Sequence, residues 1–383
     1  KGEIINEFGK LYIKSTFNHN NLNIINNELI EIESTGTFNN KSTLDNNDSI
    51  IIKGILKNDT NITNTGNIVN KKGIINTGTI TNKNNIYNYD SIVNNGIINI
   101  NDTSDGGVIF NYKTFNNNNG AKLNIYDSFV NMEKGAINLH SVDTTNDSGI
   151  LRNIGTININ RGLLENKSNL INDSTVTITG SGTLTNKKNF YNQNTGVFTI
   201  TNGKFTNDSY FYHTSSKTIT NNDSIVNKGL FEDAESITNN NIFINDSILS
   251  LNNTFINNGT LTNNDSITIN TTFTNNGTIE NNDSIIINAT KILNNNSIIN
   301  NNLNGVIMNE GTLNNYSIIN NNLNGVIMNE GTLNNTLLSS TINNKGTVTN
   351  SNTITNDGTF NIQATGVNLG LLKNNNTFTN NKT

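Results

Sequence analysis

The chain has 383 residues, of which 94 are Asn, and it contains no Pro, Cys or Trp. Charged residues at 14 % and hydrophobic residues at 33 % both fall below the roughly 25 % and 45–50 % of ordinary globular domains. This excludes disulfides, thiolate metal sites and cysteine catalysis, and no run reaches the ~18 apolar residues of a membrane span, while a net charge of −5 with two arginines, Arg152 and Arg161, argues against nucleic acid as a partner.

Residues 1–31 are the least regular part. They are still apolar at Ile4, Ile5, Phe8, Leu11, Ile13 and Phe17, and are expected to form an N-terminal cap or a donated segment. From residue 32 a large apolar side chain recurs every six positions: Ile32, Phe38, Leu44, Ile50, Leu56, Ile62, Ile68, Ile74, Ile80, Ile86, Ile92 and Ile98. In a chain one-third hydrophobic, twelve successive matches arise by chance on the order of once in a million, so the pattern is structural. Between about 102 and 216 the spacing loosens, and anchors such as Leu170, Val176, Leu184, Phe190, Phe198, Phe205 and Phe211 mix sixes, sevens and eights. A second unbroken run follows: Ile219, Ile225, Phe231, Ile237, Phe243, Leu249, Phe255, Leu261, Ile267, Phe273, Ile279 and Ile285. Residues 297–315 then recur unchanged as 317–335, a period of 20 in which Ile299, Ile307, Leu313 and Ile319 are spaced eight, six and six. The last anchors are Ile342, Val348, Ile354 and Phe360, with the spacing recovered at Leu372 and Phe378.

No α-helix repeats every six residues, and segments this rich in Asn, Gly and β-branched residues form helices poorly. A short strand sends the anchor to one side and its neighbours to the other, and Gly or Asn supplies the bend that follows. Two residues after the anchors stand Asn257, Asn263, Asn275 and Asn281, but this position turns apolar at Leu251, Ile269 and Ile287, 18 residues apart. Three faces of six therefore close one turn. The expected fold is all-β: a parallel β-helix (β-solenoid) of triangular coils of about 18–20 residues. It should run as one continuous solenoid over 32–383, with longer corners in 102–216.

Asn58, Asn64, Asn70, Asn76, Asn82, Asn88 and Asn94 follow seven successive anchors at the same offset. Alternation points them inward beside the corners, where stacked amides can bond to each other and to corner carbonyls. Asn-x-Ser/Thr sequons at Asn47, Asn222, Asn264 and Asn282 are candidate glycosylation sites, although this composition yields about 19 sequons by chance. Candidate chemistry is sparse. His19, His140 and His213 share no repeat position, and Glu232, Asp233 and Glu235 read as a solvated loop at a corner. Asp90, Asp223, Asp265 and Asp283 stand where other units have Gly, and read as residues capping a bend. No phosphate loop, dinucleotide fingerprint, nucleophile elbow or zinc motif occurs. No catalytic residue, cofactor or metal ligand is therefore expected, and the chain does not read as an enzyme.

The unit Phe255-Ile256-Asn257-Asn258-Gly259-Thr260-Leu261, repeated as Phe273-Thr274-Asn275-Asn276-Gly277-Thr278-Ile279, resembles the repeats of filamentous-haemagglutinin-type adhesins and of Asn-rich adhesin-like surface proteins. The resemblance covers roughly 32–383, lies in a degenerate repeat, and implies a right-handed parallel β-helix acting as a secreted stalk. The chain begins at Lys1 without a hydrophobic leader, as expected of an extracellular protein whose signal peptide is gone. The pattern continues to Phe378 without a visible cap, so the expected function is an extracellular filament subunit whose partner is itself, stacked head to tail as a rod of about 100 Å per subunit. The alternatives are the stalk of a cell-surface adhesin that binds glycans or surfaces, and a polysaccharide-processing spike.

Overall fold

The structure, a computed structural model, describes residues 3–6, 9–100, 107–118, 120–126, 128–140, 143–146, 149–362, 364–365, 368–369 and 371–381. Phe8 lies outside the described residues. Two compact units divide the chain, residues 1–197 and 198–383. Each is a three-sheet parallel β-solenoid, and no helix occurs among the described residues.

In the unit 1–197, one coil consists of the strands Asn61–Asn64, Ile68–Asn70 and Gly73–Asn76. Each pairs in parallel with the strand one coil on, so that Ile62 faces Ile80, Ile68 faces Ile86 and Ile74 faces Ile92. The six-residue period is thus one side of an 18-residue triangle. Ile62, Ile68, Ile74, Ile80, Ile86, Ile92 and Ile98 all point into the interior and are at most 2 % exposed. Within 1–31, Leu11–Ile13 and Thr16–His19 pair in parallel with Ile30–Ile32 and Thr37–Asn40. Longer coils keep the pairing: Ile98 faces Leu123, a coil of 25 residues, without loss of register on any of its four paired positions.

The unit 198–383 repeats the scheme, with Phe255 facing Phe273, Leu261 facing Ile279 and Ile267 facing Ile285. All six side chains are fully buried. The identical stretches 297–315 and 317–335 lie directly on one another: Ile299 faces Ile319, Ile307 faces Ile327 and Leu313 faces Leu333. Their two extra residues sit in one corner, where Asn304 (φ 68°) and Asn324 (φ 62°) adopt the left-handed conformation that Asn tolerates. Phe205, Phe211, Phe231, Phe243, Phe255 and Phe273 form a chain of tilted and edge-to-face contacts along the interior, with centroids 4.5–5.9 Å apart. A small antiparallel pair, Ala364–Thr365 with Asn368–Leu369, occupies a late corner.

Candidate functional site: side-chain ladders and an aromatic face

Most strands place the anchor inside, the next residue outside, and the third inside again at the corner. That third position is fully buried and polar in most coils. Asn263 shows what it does. Its Oδ1 accepts from Asn245 Nδ2 at 2.8 Å, and its own Nδ2 donates to Asn281 Oδ1 (2.8 Å) and to the corner carbonyls of Asp265 (2.9 Å) and Ser284 (2.8 Å). The amide thereby adds a side-chain donor at the corner, where the Asp265 carbonyl also accepts the Ser284 N–H at 2.8 Å, so that the buried backbone there is satisfied.

The seven amides expected to stack are all fully buried, and the structure distributes them over three rows. Asn58, Asn76 and Asn94 form one row at 2.7–2.8 Å, Asn64 and Asn82 a second at 2.7 Å, Asn70 and Asn88 a third at 2.7 Å. Every buried rung has the same sense: Nδ2 of one coil donates to Oδ1 of the next. Rows stop where the position turns apolar, as at Leu251, Ile269 and Ile287. The sense of donation explains a cost at the restart. Asn309 follows Ile287 and Asn146 follows Ile125, so each has no amide behind it, and the Oδ1 of both is buried without a hydrogen bond.

One stretch of the second sheet substitutes other polar residues. His213 and Asp233 are register partners at this inward position, both fully buried, and Leu251 follows them. This corrects the expectation of a solvated acidic loop: Glu232 faces outward, while Asp233 is interior. Burial drives the Asp233 carboxyl up to about 8, with the nearby Glu235 charge adding to the rise and the Glu235 N–H bond to Oδ1 (3.1 Å) opposing it. Burial therefore favours the protonated, neutral form of Asp233. His19 heads another row through Asn40 Oδ1 at 2.5 Å and also meets the Leu22 carbonyl, whereas His140 is exposed. Among the described residues, no three His, Asp or Glu side chains gather as metal ligands would.

The sequon residues Asn47, Asn222, Asn264 and Asn282 are exposed, one position beyond the ladder Asn. Sequence reasoning missed that this position is a ladder too. Asn240, Asn258, Asn276 and Asn296 each donate Nδ2 to the residue one coil back, beginning with Asn222, at 2.7–2.9 Å. Asn264 and Asn282 belong to a parallel row that starts at Asp246. These outer rows run opposite to the buried ones.

The outward side of the second sheet in the unit 1–197 carries stacked rings. Tyr87 lies on its register partner Phe110 at 5.3 Å and 9°, and Tyr89 lies on Tyr112 at 4.8 Å and 13°. Desolvation within this stack, followed by the Tyr112 and Tyr87 hydroxyls, raises the Tyr89 phenol above its ordinary value.

Fold and ladders together define a class: a repetitive β-solenoid whose interior polar groups are satisfied by Asn stacked from coil to coil. No family model, curated protein or solved structure matches the chain.

Proposed function

We propose that the chain is a subunit of an extracellular structural filament, associating with itself through head-to-tail stacking of solenoid coils, with no catalytic role. The observation that carries this reading is the direct repeat. Two coils of identical sequence, 297–315 and 317–335, stack with every anchor in register, and Asn301–Asn321, Asn309–Asn329 and Asn315–Asn335 bond at 2.7–2.8 Å. One edge of such a coil is therefore complementary to the opposite edge of a second copy of itself. A contact of that kind translates without closing, and its product is a fibre rather than a ring. Placement outside the cell is supported by the resemblance to adhesin repeats. The adhesin-stalk reading is favoured by the outward, partly exposed aromatic stack.

Electron microscopy of the purified native chain tests the proposal. Filaments with a meridional repeat of ~4.8 Å, the spacing of paired strands along the stacking axis, are expected. Discrete particles of one subunit at every concentration refute it.

A further inference from the structure

The aromatic stack on the second sheet ends in a recess. Phe110 is followed one coil on by Val130, so the rings do not continue in that direction. Beside Tyr112 opens a recess of about 260 Å3, lined by Tyr112, Met132, Glu133 and Lys134. Tyr89 stacks on one face of the Tyr112 ring, and Tyr112 is also one of the side chains that line the recess. The volume falls below the about 300–1,000 Å3 of a cleft that engulfs a whole small molecule, so it suits a single ring whose neighbours extend into solvent.

Charge around the recess is balanced. Lys113 pairs with Asp90 at 2.8 Å, and Glu133 and Lys134 are adjacent and exposed. A polyanion or polycation would meet its own sign there, and an apolar peptide would leave two ionic side chains desolvated. A neutral polyhydroxylated ring meets neither obstacle: its C–H face covers the tyrosine, and its hydroxyls supply both donors and acceptors.

We propose that this recess is a subsite for one neutral pyranose ring of an oligo- or polysaccharide, stacked on Tyr112 and hydrogen-bonded by Glu133 and Lys134. The lining residues sit in corners just past the strands Val108–Asn111 and Ser128–Asn131, on the outside of the coils, so the site serves a filament or a stalk alike, and its failure leaves the filament reading standing. The full chain is titrated against neutral hexose and N-acetylhexosamine oligomers, with uronic-acid and amino-sugar oligomers as charged comparators. Binding of a neutral series is expected, weakened roughly tenfold or more by Tyr112→Ala and held within about threefold by Tyr112→Phe, which keeps the ring. Far-UV circular dichroism of both variants confirms the fold. Absence of neutral-oligomer binding at millimolar concentration, preference for a charged series, or equal affinity of Tyr112→Ala overturns the assignment.

Discussion

Replacing the buried Asp233 by Asn makes the ladder's polarity rules measurable. In the unfolded chain an Asp titrates near 3.9, whereas in the fold burial holds its proton up to about 8. Between those values the folded state binds the extra proton, so the unfolding free energy falls as pH rises from about 4 to about 8 and is unaffected by this group outside that window. At 1.36 kcal/mol per pH unit over about four units, the loss amounts to roughly 5 kcal/mol. Asn keeps the shape of the carboxyl and does not titrate. The expected result is that wild-type stability, measured relative to Asp233→Asn by urea denaturation followed by circular dichroism at pH 4, 5, 6, 7 and 8, declines progressively with pH. Taking the difference cancels the other carboxylates, including Glu165, whose hydrogen bond to Lys187 lowers its value despite desolvation. His213 is the register neighbour, and Glu235 the charge beside the site. A wild-type-minus-variant difference that is flat across the range refutes the neutral-acid assignment. So does a difference that favours the wild type increasingly toward pH 8, which would mean that Asp233 is ionised and paired.

Other substitutions probe the ladders and corners by the same denaturation assay. Asn263→Ala removes a donor from two corner carbonyls and an acceptor from Asn245, and is expected to cost about 3 kcal/mol or more; a loss below ~1 kcal/mol would show that the buried rows are dispensable. Ile287→Asn supplies the missing donor to the bare Asn309 Oδ1, whereas Ile285→Asn buries an amide among anchors. The first should be milder than the second by about 2 kcal/mol, and equal costs would contradict the directional ladder. Gly277→Ala places a methyl 2.0 Å from the Gly259 carbonyl oxygen, so the coils must part locally at about 1–3 kcal/mol; a neutral outcome would mean that this corner packs less closely than described.

Much of the architecture can be read from the sequence because each position has one partner, itself one coil on. The spacing of Ile62 to Ile80 gives the coil, and the offset of Asn58 from Leu56 gives the ladder. The same offset from Phe231 reaches Asp233, and from Phe211 it reaches His213. The signal that these side chains are interior was therefore present, and the acidic local composition around 232–235 obscured it. The outer rows were hidden for a different reason. Asn240 and Asn258 occupy corners, where the expected role of Asn is to bend the chain, and conformation alone does not report a side-chain bond to the next coil. The ring stack could not be read at all, since Tyr87 pairs with Phe110 across a coil of 23 residues that the six-residue period does not give.

The shared direction of the buried rungs has a consequence for growth. A coil approached from one side presents amide N–H groups, and from the other amide oxygens, as Asn245, Asn263 and Asn281 show in sequence. Two like edges brought together meet donor against donor or acceptor against acceptor at every inward Asn, and a buried polar group left unpaired in this way is costly. A stack of these coils thus has a barbed and a pointed end in the chemical sense. Addition at the two ends proceeds through different first bonds and need not share a rate, so a fibre built this way would lengthen with a preferred heading.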